Sequence, residues 1–308
     1  MSSNVENPFA ELTGAKQTMS SWARVIESYE DIPEIYKNSC KPLLQGRSPF
    51  PYVVLAPAVS DYKQKNTEKL LSEMDGAFHV WERTGKQMVF AAYPLKTIYS
   101  LEVGSVLLFS WLTISGQTSE GVTDSVTISF NTATRRFLSP FIDHMRPSPV
   151  VVNEADWQTE LAKFDHLSSS EFKFMNYARE SLVRGGKVIC SLMQPRIRRN
   201  IFTLFGQKFY RTMVLSHLAL LTDKEAIFIR DDERTAEIQG RGERYGGVWQ
   251  YVPLRSISSS EITESENGLL TLSIKLSIAD QQLDKIFETS SKKELEDFQR
   301  KLNQAIGK

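Results

Sequence analysis

A six-residue phrase occurs twice in this chain, as Tyr93-Pro94-Leu95-Lys96-Thr97-Ile98 and as Val252-Pro253-Leu254-Arg255-Ser256-Ile257. Each copy stands between strand-like segments. Each is followed at nearly the same distance by Leu-x-Ile, as Leu112-Thr113-Ile114 and Leu272-Ser273-Ile274. Matched order and spacing constrain a fold more than any single residue does, because one match arises by chance and a whole matched unit rarely does. Two copies of one domain are therefore expected, and 308 residues suffice for each to bury a core of its own.

The period of the apolar residues fills in the plan. Trp22, Val25, Ile26 and Tyr29 fall at i, i+3, i+4 and i+7, which predicts an N-terminal helix over residues 17–29. After Pro42, Pro49 and Pro51 the period becomes that of strands: 52–55, 77–82, 87–92, 103–115 and 122–130, separated by turn signals such as Thr84-Gly85 and Ser115-Gly116. Residues 66–75 read as helical or irregular, and a helix over 134–145 is interrupted by Pro140. Arg146-Pro147-Ser148-Pro149 marks a boundary. Asn153 and Ser170 are placed to cap two linking helices, the second with Phe174, Tyr177, Ala178 and Leu182 on one side. Strands resume after Gly185-Gly186, over 188–193, 213–221, 225–230, 248–252 and 269–278. Ser291-Lys292-Lys293-Glu294 has the form of a capping box before a helix carrying Leu295, Phe298 and Leu302 on one face.

Short antiparallel strands followed by one amphipathic helix predict a small, partly open barrel with one end covered by the helix. At this point a family resemblance enters. The stretch Leu218-Ala219-Leu220-Leu221-Thr222-Asp223-Lys224-Glu225-Ala226-Ile227-Phe228-Ile229, with the phrase at 252–257 and Leu270-Thr271-Leu272-Ser273-Ile274, resembles the bacterial pleckstrin-homology-like (PH-like) domains and their GRAM-like relatives. Residues 93–104 and 110–114 are similar to the same group, and the two units together cover roughly two thirds of the chain. The expected fold class is thus α+β, mainly β: two PH-like partly open antiparallel barrels, each with a C-terminal helix, plus N-terminal and linking helices. The expected divisions are an N-terminal helical segment at 1–45, a first domain at 46–150, a helical linker at 151–184 and a second domain at 185–308.

Composition narrows the function. Lys plus Arg and Asp plus Glu number 37 each, so no overall field draws the protein to nucleic acid. The first residues have neither a basic region nor an apolar core, and the run 106–114 is roughly half of what crosses a bilayer. A cytoplasmic protein is expected, with peripheral contact at the inner membrane face as the alternative. Cys40 and Cys190 are too few and too far apart for a disulfide framework or a zinc site. His79, His144, His166 and His217 share no catalytic spacing, and a histidine inside an apolar strand, as His217 is, reads as a core residue. The glycine-rich stretch 240–247 has neither the Rossmann spacing nor the lysine of a P-loop. No enzyme and no cofactor are expected.

One segment concentrates charge. Between Glu180 and Asp223 no acidic residue occurs, while Arg184, Lys187, Arg196, Arg198, Arg199, Lys208 and Arg211 are all basic. Residues 196–208 are expected to form the loop between the first two strands of the second unit, with Ile201, Phe202, Leu204 and Phe205 interleaved among the charges. The resemblance implies that Lys187, Arg196 and Arg198 stand where phosphoinositide-binding members carry a lysine and an Arg-x-Arg. Candidate contacts for an anionic ligand or lipid are Lys187, Arg196, Arg198, Arg199, Lys208 and Arg211, since an apolar tip beside cations suits a membrane surface. The structural alternative packs the apolar residues against the linking helices and pairs the arginines with Glu171 or Glu180. Two functional expectations follow: a non-catalytic interaction or scaffold module with a protein partner, and peripheral binding of an anionic membrane surface or a phosphorylated ligand through the basic loop.

Overall fold

A computed structural model of the chain describes residues 22–58, 60–61, 64–65, 67–85, 87–205, 207–232, 246–265, 268–278 and 281–307. It is mainly β. The chain opens with β1 (Arg24–Ile26) and α1 (Glu34–Leu44), then runs through β2 (Val53–Ala56), β3 (Ser60–Asp61), β4 (Gln64–Lys65), β5 (Lys69–Met74), β6 (Ala77–Thr84) and β7 (Gln87–Pro94). A single 3-10 turn at Leu95–Thr97 leads into β8 (Ile98–Val106), β9 (Phe109–Gln117) and β10 (Thr123–Asn131), and a second at Thr132–Thr134 into α2 (Arg135–Met145). The linking helices are α3 (Glu154–Ala162) and α4 (Phe172–Ser181).

Beyond them lie β11 (Val188–Gln194), β12 (Ile197–Leu204), β13 (Gln207–Val214), β14 (His217–Thr222), β15 (Glu225–Arg230) and β16 (Gly247–Pro253). Again a 3-10 turn, Leu254–Ser256, leads into three strands, β17 (Ile257–Glu264), β18 (Leu269–Leu276) and β19 (Gln282–Glu288). A further turn, Thr289–Ser291, leads into α5 (Lys292–Ile306). Both Pro-Leu-basic-x-Ile phrases thus make the same corner, since proline fixes the backbone entering each turn. The register even shifts at the same place, after Ile98 in one half and after Ile257 in the other.

All strand pairs are antiparallel, and among the described residues no sheet closes on itself. A five-stranded sheet has the order β1-β2-β5-β6-β7, a three-stranded one β17-β18-β19, and a seven-stranded one β10-β9-β8-β16-β15-β14-β11. The last spans both halves. Its seam is the pairing of β8 with β16, from Ser105 opposite Gly247 to Leu101 opposite Tyr251. One face of this sheet packs Leu101, Val103, Trp249, Tyr251, Ile227 and Leu220 into a core shared with Phe174 and Met175 of α4. The other packs Ala219, Leu221, Phe228 and Val252 against β18, Phe287 and α5. As the sequence predicts, Leu295, Phe298 and Leu302 are the buried face of that helix. It lies along β17, where Gln299 Nε2 donates to the Ser260 carbonyl at 2.9 Å and Lys292 pairs with Glu264 at 3.3 Å.

Several expectations are corrected. Residues 24–26 form a strand on β2, not a helix: Ile26 is buried while Trp22 is 41% exposed, so the apparent stripe never faces one core, and the rest of 17–29 up to Ser21 lies outside the described residues. The helix of this region is α1, inside the segment 1–45. Residues 69–74 are a strand; Leu70, Leu71 and Ser72 are buried in succession because β5 is central and covered on both faces. The run 103–115 is not one strand but the hairpin β8–β9, turning at Leu107, whose φ is +53°. Neither Leu107 nor Leu108 is a turn-forming residue type, so nothing in the sequence marks the break. Opposite each other in that hairpin are Gly104 and Trp111, and a Cβ at 104 would fall inside the indole. Helix α2 runs through Pro140, held by buried Leu138, Phe141, Ile142 and Met145. Asn153 caps α3, accepting from the Asp156 N–H at 2.8 Å, whereas Ser170 precedes the Glu171 N-cap of α4 and Ser291 makes no side-chain cap bond.

Candidate functional site

The segment expected as a basic loop is a β-hairpin. β12 and β13 form a two-stranded sheet of their own, paired with no other sheet. Two residues separate β11 from β12 and two separate β13 from β14, so the hairpin projects from the end of the seven-stranded sheet where β15 ends and β16 begins. Most of its aromatic and aliphatic side chains are exposed: Ile201, Phe202, Leu204, Phe205, Phe209, Tyr210 and Met213 are seven of the nineteen exposed large apolar residues among those described. Phe205, at the tip with φ +49°, is 98% exposed. The Phe202 and Phe209 rings stack at 4.5 Å, which stiffens the hairpin from one side. The alternative that packed these residues on the linking helices is thereby corrected. The Leu107–Leu108 turn, 72% and 69% exposed, ends β8 beside the start of β16 and so projects at the same end of the sheet.

The candidate cations divide. Arg196, at the base of the hairpin, pairs with buried Asp231 at 3.6 Å, and Lys173 of α4 meets the same carboxylate at 2.6 Å. That arginine ties the base of the hairpin to the residue that follows β15. Arg198 and Arg211 are exposed. Arg199 stands directly opposite Arg211 in the register, and Lys208 opposite Thr203. Lys187 is elsewhere, its backbone N–H on the Asp223 carboxylate at 2.8 Å and its side chain at a cavity of about 250 Å³ beside Trp157 and Gly185. The structure thus brings Arg198, Arg199, Lys208 and Arg211 onto one hairpin, with Arg198 and Arg211 exposed, places Arg196 at its base and leaves exposed Lys187 elsewhere. The glycine-rich stretch 240–245 lies outside the described residues.

Beneath the hairpin runs a cleft of about 870 Å³, walled by residues 210–215, His217, Phe228, Arg230 and residues 284–286. Lys285 projects into it, its ammonium 2.8 Å from Gln250 Oε1 and 4.8 Å above the Phe228 ring. Burial, reinforced by the charge of Arg230, pushes the Lys285 pKa down to about 8. Arg230 is 3.5 Å from Glu102 across the seam. His217 is buried edge-to-face on Phe287 at 4.9 Å, and its Nδ1 lies 3.1 Å from the Leu215 carbonyl; burial pushes its pKa down to about 4. Sequence reasoning passed over Lys285 and Arg230. The available signal was alternation in β19, where Leu283, Lys285 and Phe287 share the inward face and one of the three is a lysine.

Among the described residues no helix is long and apolar enough to cross a membrane, and no cluster of three or more His, Cys, Asp or Glu is placed to hold a metal. No protein-family model matches the chain, and no curated protein matches it.

Proposed function

We propose that the chain is a non-catalytic tandem PH-like docking module, seated peripherally on an anionic membrane surface by the β12–β13 hairpin. The tandem reading is supported by the common order of strands, 3-10 turn, three strands, 3-10 turn and helix in residues 53–145 and 188–306. The observation that carries the docking reading is the hairpin itself, a run of outward apolar side chains flanked by Arg198 and Arg211 in a stretch without a single acidic residue. Aromatic tips insert among lipid head groups while arginines remain at the charged surface, each contributing about 1 kcal/mol to binding. Leu107 and Leu108 add a second apolar contact from the first half.

Sedimentation with vesicles tests this. The protein should pellet with vesicles containing phosphatidylserine and remain in solution with phosphatidylcholine alone, and binding should weaken as salt shortens the screening length. The pair Arg198→Glu and Arg211→Glu should abolish pelleting, and Phe205→Asp should weaken it strongly. Neither should alter the melting temperature, since these side chains are exposed. Equal binding to uncharged vesicles, or none at low salt, would refute the membrane reading and leave a protein partner as the occupant of the hairpin.

A further inference from the structure

The two halves differ most sharply at the cleft beneath the hairpin. Strand positions define the correspondence. Lys69 opens β5 as His217 opens β14; Val80 and Glu82 are the fourth and sixth residues of β6, as Phe228 and Arg230 are of β15. Ile128 stands two residues before buried Phe130 in β10, as Lys285 stands two before buried Phe287 in β19. In the first half this place is smaller. Lys69 is buried and paired with Glu82 at 3.2 Å, Ile128 is in the core, and about 240 Å³ remains. In the second half the acidic member has become Arg230, the core isoleucine has become Lys285, and the space opens to about 870 Å³.

A lysine at an inward position loses hydration, and isoleucine at the corresponding place shows that the fold does not require it. Among the described residues no carboxylate forms a salt bridge with Lys285, whose hydrogen-bond partner is the Gln250 amide oxygen. The cleft's own carboxylate, Asp284, is held by Ser273 and Gln282 at 2.7 and 2.8 Å. Cation and apolar surface therefore face one space: Lys285 and Arg211 with Arg230 behind, and Phe228, Met213 and Ile286 around them. We propose that this cleft binds a small amphiphilic anion, its single carboxylate or phosphate head on Lys285 and Arg211 and its apolar body against Phe228, Met213 and Ile286. The cleft shares Arg211 and Met213 with the hairpin, while Lys285, Phe228 and Ile286 belong to the cleft alone, and the proposal does not depend on membrane docking.

Titration calorimetry on the full chain with octyl phosphate and octanoate is the test, with inorganic phosphate and octanol as head and tail alone. Both octyl anions should bind, and each half-ligand should bind at least about 10-fold more weakly, the effect of one charge-assisted hydrogen bond. Lys285→Met should weaken the octyl anions by about 10-fold or more and leave octanol unchanged. Arg198→Glu, on the hairpin away from the cleft, should leave all four affinities unaltered while weakening vesicle binding. As a check needing no variant, octyl phosphate should protect Lys285 of the unmodified protein from acetylation by acetic anhydride, read by mass spectrometry. Failure of both octyl anions to bind at millimolar concentration would overturn the proposal. So would equal affinity of Lys285→Met for them, or unprotected Lys285 at saturation.

Discussion

Replacing Arg146 by Met should destabilise the protein far more than replacing both Arg146 and its partner. The side chain leaves the end of α2, is only 10% exposed, and meets Glu225 of β15, which is 3% exposed. Its Nη2 also donates to the Ser181 carbonyl at 2.6 Å, and the guanidinium lies 3.7 Å over the Tyr251 ring. One cation therefore ties the first half, the linking helix and the second half together. Taking it away strands a buried carboxylate without its partner, which costs about 3–5 kcal/mol. In the double variant Arg146→Met, Glu225→Leu no charge is left behind and the Ser181 carbonyl alone loses its bond, about 1–3 kcal/mol. The double-mutant cycle should thus show a coupling of about 2 kcal/mol or more. Urea denaturation followed by tryptophan fluorescence measures all four proteins. A loss under about 1 kcal/mol for Arg146→Met, or strictly additive effects, would show that the pair is solvated and that this account of the junction is wrong.

Two further outcomes follow from burial. Phe298→Ala removes a ring that is 1% exposed beneath α5 and should cost about 3–5 kcal/mol, with an unchanged urea midpoint counting against the packing described. His217 is held neutral: in the unfolded chain it takes up a proton near pH 6.5, in the folded chain near 4. Between those values the unfolded state binds more protons, so stability is complete above about pH 6.5 and falls as the pH is lowered towards 4, by up to about 3 kcal/mol. His217→Leu should flatten that slope in denaturation curves taken at pH 7 and 4.5, and an unchanged slope would assign it to other groups.

The corners, the linking helices and the buried face of α5 were legible in the sequence, because proline restricts the backbone locally and Leu295, Phe298 and Leu302 repeat at helical spacing. What escaped were features set by distant partners. β5 reads poorly as a strand because neighbours on both faces bury it, and three residues of β1 are a strand only because β2 offers an edge. The break at Leu107 carries no turn chemistry. For the candidate site, the charge concentration falls on the hairpin β12–β13, yet that Arg196 is held at its base depends on Asp231, 35 positions away in the chain. Lys285 and Arg230 drew no notice singly; their meaning lies in a cleft that three strands must assemble.

The seam between β8 and β16 has a kinetic consequence. Most ladders in this protein join neighbouring strands, whose hairpins close within microseconds. The seam joins Ser100 to Gln250 by side chains and Leu101 to Tyr251 by register, 150 residues apart in both cases. Closing so long a loop from an unfolded chain carries an entropy cost of about 4 kcal/mol beyond a constant, so the pairing is favourable only after each half has collapsed and drawn the ends together. During that interval β8 and β16 are bare edges in every nascent molecule, each complementary to the other. Two chains folding side by side can then exchange them, and the concentration at which refolding is attempted, rather than final stability, decides how many molecules complete the joint within themselves.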